Sequence, residues 1–175
     1  GQAQRLLGVA GGEGDLGLGV DHGGQPTGVA GRLDLGARVG GQLACALGNQ
    51  ACRENLSVLY VRASRLFADL ALGRGDGRYT RLLRSYGKAD LMILDDWGPE
   101  PLGADQRRDL LEIVEERYGR KSLLITSQVP VADWHAIIGN PTLGDAILDR
   151  IVHNAYRIEL SGDSLRKHKP ETEPK

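Results

Sequence analysis

The chain has 175 residues and a formal net charge of −1, enough length for one domain with a sizeable core and no overall charge excess that indicates a nucleic-acid or membrane surface. No apolar stretch of about 18 residues and no basic region followed by an apolar core occurs, so the sequence predicts neither a transmembrane helix nor a signal peptide. Cys45 and Cys52 would lie about 10 Å apart along a helix, too far for a disulfide, and no His or Cys cluster has zinc spacing, so we expect a protein of the reducing cytoplasm.

Residues 1–42 differ in composition from the rest of the chain. They contain 14 of the 25 glycines and no lysine, phenylalanine, tyrosine or tryptophan. No helical or alternating hydrophobic period continues for more than a few residues, and such a segment buries little apolar surface while losing much backbone entropy on folding. We therefore predict a poorly ordered segment over 1–42. The first residue is Gly1 rather than methionine, which is consistent with an incomplete start.

From Leu43 onward the hydrophobic periodicity predicts helices that alternate with strands. Ser64 is the expected N-cap of the second helix, and Gly119 the expected stop of the fourth. The inner face of that fourth helix is expected to consist of Leu110, Leu111, Val114 and Tyr118. Strands that alternate with helices predict a mainly parallel α/β sheet. The predicted helices cover 43–55, 64–72, 78–86, 104–119, a short turn after Pro130, and 142–154; the predicted strands cover 57–62, 89–96, 122–128 and 155–160.

The stretch LMILDDWG, residues 91–98, joins four apolar residues to two adjacent aspartates. The apolar run is typical of a strand that is covered on both faces, and Asp95 and Asp96 would lie at its carboxyl end, where open α/β sheets bind their ligands. Neighbouring carboxylates repel each other unless a cation lies beside them. A hydrated Mg²⁺ that accompanies a nucleotide would provide that cation. A solvated turn after a strand is the alternative explanation.

The chain resembles the IstB-like helper ATPases of insertion-sequence transposition, relatives of the DnaC-type helicase loaders in the AAA+ class. The resemblance rests on LACALGNQ, LMILDDWG, LLITSQ and NPTLGDAILDRIVHN in this order, and it covers 43–167, followed by a charged tail at 168–175. It implies a P-loop NTPase sheet flanked by helices, the cofactors ATP and Mg²⁺, and a role in transposition. The implied partners are a transposase, double-stranded DNA and further copies of the chain.

The resemblance also implies roles for individual residues. Asp95 matches the Walker B aspartate that binds Mg²⁺, and Asp96 matches the adjacent acid that activates the attacking water. Arg150 matches an arginine finger, although an ion pair with Asp145 or Asp149 is an alternative. Arg166 matches a C-terminal sensor or a DNA contact, or else belongs to a solvated tail. The sensor 1 region, which would contact the γ-phosphate, matches Thr126, Ser127 and Gln128, although an ordinary turn at the strand end is an alternative for each of them.

The phosphate loop that the family carries before its first helix is missing from this sequence. The pattern GxxxxGK[ST] occurs nowhere, and the first lysine is Lys88. Where the loop belongs, the chain reads LDLGARVGGQ, in which Gly36, Gly40 and Gly41 could form a turn without a lysine. The strand that should precede the loop is also expected to be missing. Because the resemblance stops abruptly at Leu43, we favour a change of reading frame, a mis-joined gene model or a degraded gene copy over a divergent N-terminus.

Three functions remain open from the sequence. The first is an ATP-binding helper of transposition that is impaired by the loss of the loop. The second is a non-catalytic remnant or interaction module that binds no nucleotide. The third is a nuclease that uses Asp95 and Asp96, which is disfavoured because a catalytic lysine with further clustered acids is lacking.

The abrupt boundary generates a prediction about the gene. If the frame changes upstream of Leu43, a neighbouring frame of the coding DNA should encode an apolar strand followed by a glycine loop with a lysine. Translation of that DNA in all three frames checks this expectation. The absence of such a loop from every frame would favour genuine divergence.

Overall fold

The structure is a computed structural model that describes residues 5–10, 39–98, 100–153 and 155–160, with no side-chain description for 5–10, 39, 159 and 160. The five strands are β1 Arg5–Ala10, β2 Val58–Arg62, β3 Leu91–Trp97, β4 Ser122–Ser127 and β5 Ala155–Leu160. The helices are α1 Val39–Arg53, α2 Ala63–Gly75, α3 Tyr79–Lys88, α4 Ala104–Arg117, α5 Trp134–Ile138 and α6 Pro141–Val152, with a 3-10 turn at Val131–Asp133 before α5. No helix in these ranges is long and apolar enough to cross a membrane.

The five strands form one sheet in the order β2-β3-β4-β1-β5. Strands β2, β3 and β4 are parallel, and helices connect them along the chain. The predicted α/β fold class is therefore confirmed, with a parallel sheet between helices. Because parallel strands end at the same edge, the residues that follow β2, β3 and β4 meet there.

The sheet differs from the expectation in one respect, because the glycine-rich segment does contribute a strand. Strand β1 lies between β4 and β5 and runs antiparallel to both. A strand that leads into a phosphate loop would instead run parallel to its neighbours and enter α1 through that loop. The central place in the sheet is thus occupied by a strand of the opposite direction. Gly36 and the other residues of 11–38 lie outside the described residues, so the poor order predicted for 1–42 remains a prediction.

Two hydrophobic clusters cover the two faces of the sheet. On one face, Ala44 of α1 packs against Ile93 and Leu124. On the other face, Met92, Leu94 and the neighbouring β4 residues pack against α2, α4 and α6. Side chains of a strand alternate between faces, so this packing also assigns Asp95 and Thr126 to the α1 face. The free energy gained by burying both clusters holds the strand ends in place.

Several predicted helix boundaries and faces are corrected by the structure. Helix α1 begins at Val39, inside the glycine-rich segment, and not at Leu43. Helix α2 begins at Ala63 and continues to Gly75, so Ser64 lies within the helix and does not cap it. Tyr118 is 48% exposed and is replaced on the inner face of α4 by Ile113. Gly119 has a φ of 69°, as a residue that ends a helix requires.

A buried arginine, Arg117, connects α3 to the end of the sheet where β3 and β4 begin. Arg117 is 1% exposed, and its guanidinium donates hydrogen bonds to the carbonyl oxygens of Tyr86, at 2.9 Å, and Ala89, at 3.0 Å. A further bond reaches the carbonyl oxygen of Ser122, at the start of β4. Burial lowers the pKa of Arg117 to about 10. Carbonyl oxygens accept from Nη1 and Nη2, whereas Nε has no hydrogen-bond partner among the described residues, and these contacts make Arg117 a brace between α3, α4 and β4.

We expect Arg117→Lys to lower the free energy of unfolding by about 2–4 kcal/mol, because one ammonium cannot replace the fork of donors and leaves buried carbonyls unpaired. Urea denaturation monitored by circular dichroism measures the change. The matched control is Arg120→Lys at an exposed position, which should change it by less than about 0.5 kcal/mol. Equal effects of the two substitutions would contradict the bracing role.

Candidate functional site

The two aspartates form a β-bulge at the carboxyl end of β3. Leu94 pairs with Ile125 and Trp97 pairs with Ser127, so two residues of β3 lie opposite Thr126 alone. Asp96 has a φ of 59°, a left-handed conformation that aspartate tolerates better than most residues. Bulges of this kind redirect side chains at sheet edges and are common beside active sites.

Asp95 is held on both carboxylate oxygens by neighbouring strands. The Thr126 hydroxyl donates to Oδ1 and the Tyr60 hydroxyl donates to Oδ2, both at 2.5 Å. The Arg62 guanidinium Nε lies 3.9 Å from Oδ2, and Asp95 itself is only 6% exposed. Burial, followed by the hydrogen bond to Asp95, raises the pKa of the Tyr60 phenol above its ordinary value. Tyr60 therefore remains a neutral donor that fixes the carboxylate.

Asp96 is positioned by β4 and by the residue that follows it. The backbone N–H of Asp96 donates to Thr126 Oγ1 at 3.0 Å, and Gln128 Nε2 donates to Asp96 Oδ1 at 2.8 Å. Thr126 thus binds both aspartates, as a donor to Asp95 and an acceptor from Asp96. The structure brings together four of the predicted site residues, which are Asp95, Asp96, Thr126 and Gln128.

Ser127, the fifth residue at these strand ends, faces the other side of the sheet. It is buried, and its hydroxyl donates to the carbonyl oxygen of Trp97 at 2.8 Å. Trp97 packs edge-to-face on Trp134, with ring centroids 5.8 Å apart. Gly98 follows with a φ of 87°, a conformation that L side chains rarely adopt. The WG pair of LMILDDWG therefore packs the core and turns the chain.

The first turn of α1 lies beside the aspartates. A Cβ built on Gly40 would meet the Thr126 Cβ at 3.9 Å, an ordinary contact distance. One turn later, burial and then the charge of Asp95 raise the pKa of the Cys45 thiol. Cys45 and Cys52 are both free thiols, as expected. The unpaired N–H groups of a helix N-terminus attract anions, so α1 begins where a phosphate would meet the strand ends.

Arg150 contacts α4, and its ion-pair partner differs from those considered from the sequence. Its Nη2 lies 3.1 Å from Glu115 Oε1, and its guanidinium lies 6.0 Å from the centre of the Tyr118 ring. The predicted alternatives, Asp145 and Asp149, are not its partners; Asp145 lies 3.3 Å from His135 Nε2 instead. Arg166 lies outside the described residues.

The pair Asp95 and Asp96 fits a hydrated Mg²⁺ better than a metal held by protein alone. Within the described ranges, no three His, Cys, Asp or Glu side chains cluster as a metal site. Mg²⁺ typically takes one or two carboxylates and completes its shell with water and substrate phosphates. Oxygen donors beside a helix N-terminus match that preference, with Asp95 as the expected ligand.

Sequence reasoning missed Tyr60 and Arg62. Both lie on β2, where Arg62 pairs in register with Asp95. The alternation of VLYVR indicates that the two side chains share a face. Only the strand register, which the sequence does not specify, places that face against Asp95.

Comparison with known proteins gives a consistent family. A family model described as IstB-like ATP binding protein matches residues 35–172, beginning upstream of Leu43. Two of the similar proteins are from Sinorhizobium fredii (strain NBRC 101917 / NGR234). The putative insertion sequence ATP-binding protein y4pL is 68% identical over 126 residues, 72% of this chain and 51% of its own. The protein y4uH is 55% identical over 125 residues, which are 71% of this chain and 50% of y4uH. The IS21 putative ATP-binding protein of Pseudomonas aeruginosa is 32% identical over 124 residues, 71% and 47%. The chain spans about half the length of these relatives.

We expect Thr126→Val to lower the free energy of unfolding by about 1–3 kcal/mol, because a nearly isosteric side chain removes both a donor to Asp95 and an acceptor from Asp96. Urea denaturation at neutral pH measures it. Thr80→Val, at an exposed position of α3, is the matched control and should be nearly neutral. A neutral effect at Thr126 would show that this hydroxyl does not organise the bulge.

Proposed function

We propose a function for this chain from one established fact, that it belongs to the family of IstB-like ATP binding proteins. The chain is an ATP-binding helper of DNA transposition, and its nucleotide site lies at the carboxyl ends of β3 and β4. The observation that carries this proposal is the bulge in which Thr126 binds both Asp95 and Asp96 beside the first turn of α1. Carboxylates, a hydroxyl and a helix N-terminus at one sheet edge are the groups that phosphoryl transfer requires.

The two carboxylates have different roles in this proposal. Asp95 holds Mg²⁺, through water or directly, and its orientation is set by Tyr60 and Thr126. When bound, Mg²⁺ would supply charge neutralisation for the triphosphate. Asp96, which the amide of Gln128 holds, orients the water that attacks the γ-phosphate. Its left-handed backbone directs the side chain away from the ladder of the strand.

The polar residues at the end of β4, beside the two aspartates, act as sensor 1, the region that would contact the γ-phosphate. Thr126 donates a hydrogen bond to the Asp95 carboxylate, and Gln128 donates one to the Asp96 carboxylate. A change at the γ-phosphate would therefore alter these hydrogen bonds. Ser127 receives less support than the other two, because its hydroxyl is buried against Trp97 on the opposite face. For Ser127 we infer a role in setting the strand end, and not in contacting nucleotide.

The proposed partners are a transposase, double-stranded DNA and further copies of this chain. In such an assembly Arg150 would stabilise the transition-state charge on a nucleotide held by a neighbouring copy. To do so it must leave Glu115, and because both side chains are partly exposed this ion pair is worth only about 0–1 kcal/mol. The contact with Glu115 therefore does not prevent the proposed role.

The phosphate side of the site is weak in this sequence. No lysine occurs before Lys88, and the first turn of α1 carries the glycines Gly40 and Gly41, which provide neither a lysine nor a hydroxyl. ATP affinity is accordingly impaired. The alternative function is a non-catalytic interaction module that keeps the family surface and binds no nucleotide, and ATP affinity separates the two.

This chain should bind Mg²⁺·ATP weakly and hydrolyse it negligibly, because the lysine and backbone cradle that would hold the phosphates are lacking. When the metal is absent, the two carboxylates also repel the triphosphate. Titration with a fluorescent ATP analogue and Mg²⁺ measures the affinity, with Asp95→Asn and Asp96→Asn as comparisons. Weak binding that Asp95→Asn abolishes would support the helper, whereas no binding would favour the interaction module. Micromolar affinity that Asp95→Asn abolishes would show that the glycine turn replaces the lysine loop, against this expectation.

A further inference from the structure

Arg62, the last residue of β2, places a cation at the same edge of the sheet as Asp95. The two residues pair in register between parallel strands, so both side chains lie on the α1 face. The Arg62 Nε lies 3.9 Å from Asp95 Oδ2, and the Arg62 side chain is 54% exposed. Its backbone is held in place because the flanking residues, Val61 and Ala63, are buried in the core. Binding of an anion by Arg62 would therefore order only a side chain.

The orientation of Asp95 does not depend on Arg62. The hydroxyls of Thr126 and Tyr60 donate to its two carboxylate oxygens, each at 2.5 Å. The separation of 3.9 Å between Arg62 Nε and Asp95 Oδ2 is longer than a hydrogen bond, and ion pairs of exposed cations are weak. The guanidinium of Arg62 is thus not committed to Asp95 and can turn toward a ligand.

The basic residues that lie closest to Arg62 in the sequence are paired or lie elsewhere. Arg53 ends α1 and Lys88 ends α3, at the opposite end of the sheet, where β2 and β3 begin. Arg65, in the first turn of α2, forms an ion pair within that helix. Among the residues that the structure describes, Arg62 is therefore the cation best placed to meet a ligand beside Asp95.

We propose that Arg62 binds the terminal phosphate of the nucleotide and makes the site prefer a triphosphate to a diphosphate, an inference that rests on the proposed ATP-binding function. The order of the elements supports this assignment. The N-terminus of α1 lies beside Thr126 of β4, Asp95 lies on β3, and Arg62 lies on β2. Inner phosphates at the helix N-terminus, with Mg²⁺ at Asp95, leave the β2 side for the terminal phosphate. The planar fork of a guanidinium matches phosphate oxygens.

This role differs in sign from a role in orienting Asp95. In the absence of nucleotide, the positive charge of Arg62 beside Asp95 opposes the approach of a divalent cation. Removal of that charge should therefore weaken triphosphate binding without weakening the binding of metal alone. A residue that only orients Asp95 would weaken both when it is removed.

Fluorescent analogues of ATP and ADP, titrated in the presence of Mg²⁺ with the protein in excess, measure the effect of Arg62→Gln. We expect ATP affinity to fall by about tenfold or more, because a charged hydrogen bond to phosphate is lost. ADP affinity should fall by less than about fivefold, because only a distant exposed charge is removed. Arg62→Lys keeps the charge and should preserve the preference for ATP over ADP. The matched control is Arg65→Gln, which removes the same charge from an exposed position and should leave that preference unchanged.

Electron paramagnetic resonance of Mn²⁺ without nucleotide measures the binding of metal alone. We expect Arg62→Gln to leave Mn²⁺ affinity unchanged or to raise it, whereas Asp95→Asn should lower it. Circular dichroism and urea denaturation establish that every variant folds.

The results that would overturn this inference are distinguishable from a failure of the proposed function. If the unmodified chain binds no Mg²⁺·ATP, both are wrong. If it binds Mg²⁺·ATP and Asp95→Asn abolishes this binding, but Arg62→Gln leaves it unchanged, the proposed function stands and the role of Arg62 is wrong. Equal losses of ATP and ADP affinity in Arg62→Gln, equal effects of Arg65→Gln, or a loss of Mn²⁺ affinity in Arg62→Gln would each contradict the role of Arg62 as well.

Discussion

The hydrogen bond between Thr126 and Asp95 is the interaction on which the arrangement of this protein depends. It joins β3 to β4 at the point where the two strands stop pairing regularly, and the same oxygen of Thr126 accepts the amide of Asp96. One side chain thereby binds the carboxylate of Asp95 and the backbone amide of Asp96, and it fixes both residues at the bulge. The bulge that results presents Asp96 in a left-handed conformation, and Tyr60 closes the arrangement from β2.

At the end of the sheet where β3 and β4 begin, the charged side chains have a different arrangement. There Arg117 binds carbonyl oxygens of α3, the loop before β3 and β4, while Lys121 and Ser57 bind Asp90 at the start of β3. The lysine and the serine hold the pKa of the Asp90 carboxyl well below its usual range. These contacts lie within the fold and stabilise it. The polar groups at the carboxyl ends of β3 and β4 instead lie beside the first turn of α1.

Periodicity and the resemblance predicted much of this structure. The parallel order of β2, β3 and β4 follows from helices that alternate with apolar strands. The four apolar residues before Asp95 predicted its position at the carboxyl end of a strand. The partners of Asp95 could not be predicted, because Tyr60 and Thr126 reach it only through strand register and a bulge, which are tertiary features. The exposed position of Tyr118 and the pairing of Arg150 with Glu115 have the same cause, since the packing of α6 on α4 decides both.

In the nucleotide site that we propose, Asp95, Asp96, Thr126 and Gln128 form the half at the strand ends, whereas no lysine occurs in this sequence before Lys88 to form the phosphate half. Gly40 and Gly41 lie in the first turn of α1, and a Cβ on Gly40 would stand 3.9 Å from the Thr126 Cβ, an ordinary contact distance. The double substitution Gly40→Lys and Gly41→Thr would supply the lysine and hydroxyl of a P-loop there, and it also removes two helix-weakening glycines. Isothermal titration with Mg²⁺·ATP is the direct measurement. We predict a gain of at least about tenfold in affinity, some 1.4 kcal/mol, that disappears when Asp95→Asn is added. An unchanged affinity in a folded double variant, or a gain that survives Asp95→Asn, would contradict the account.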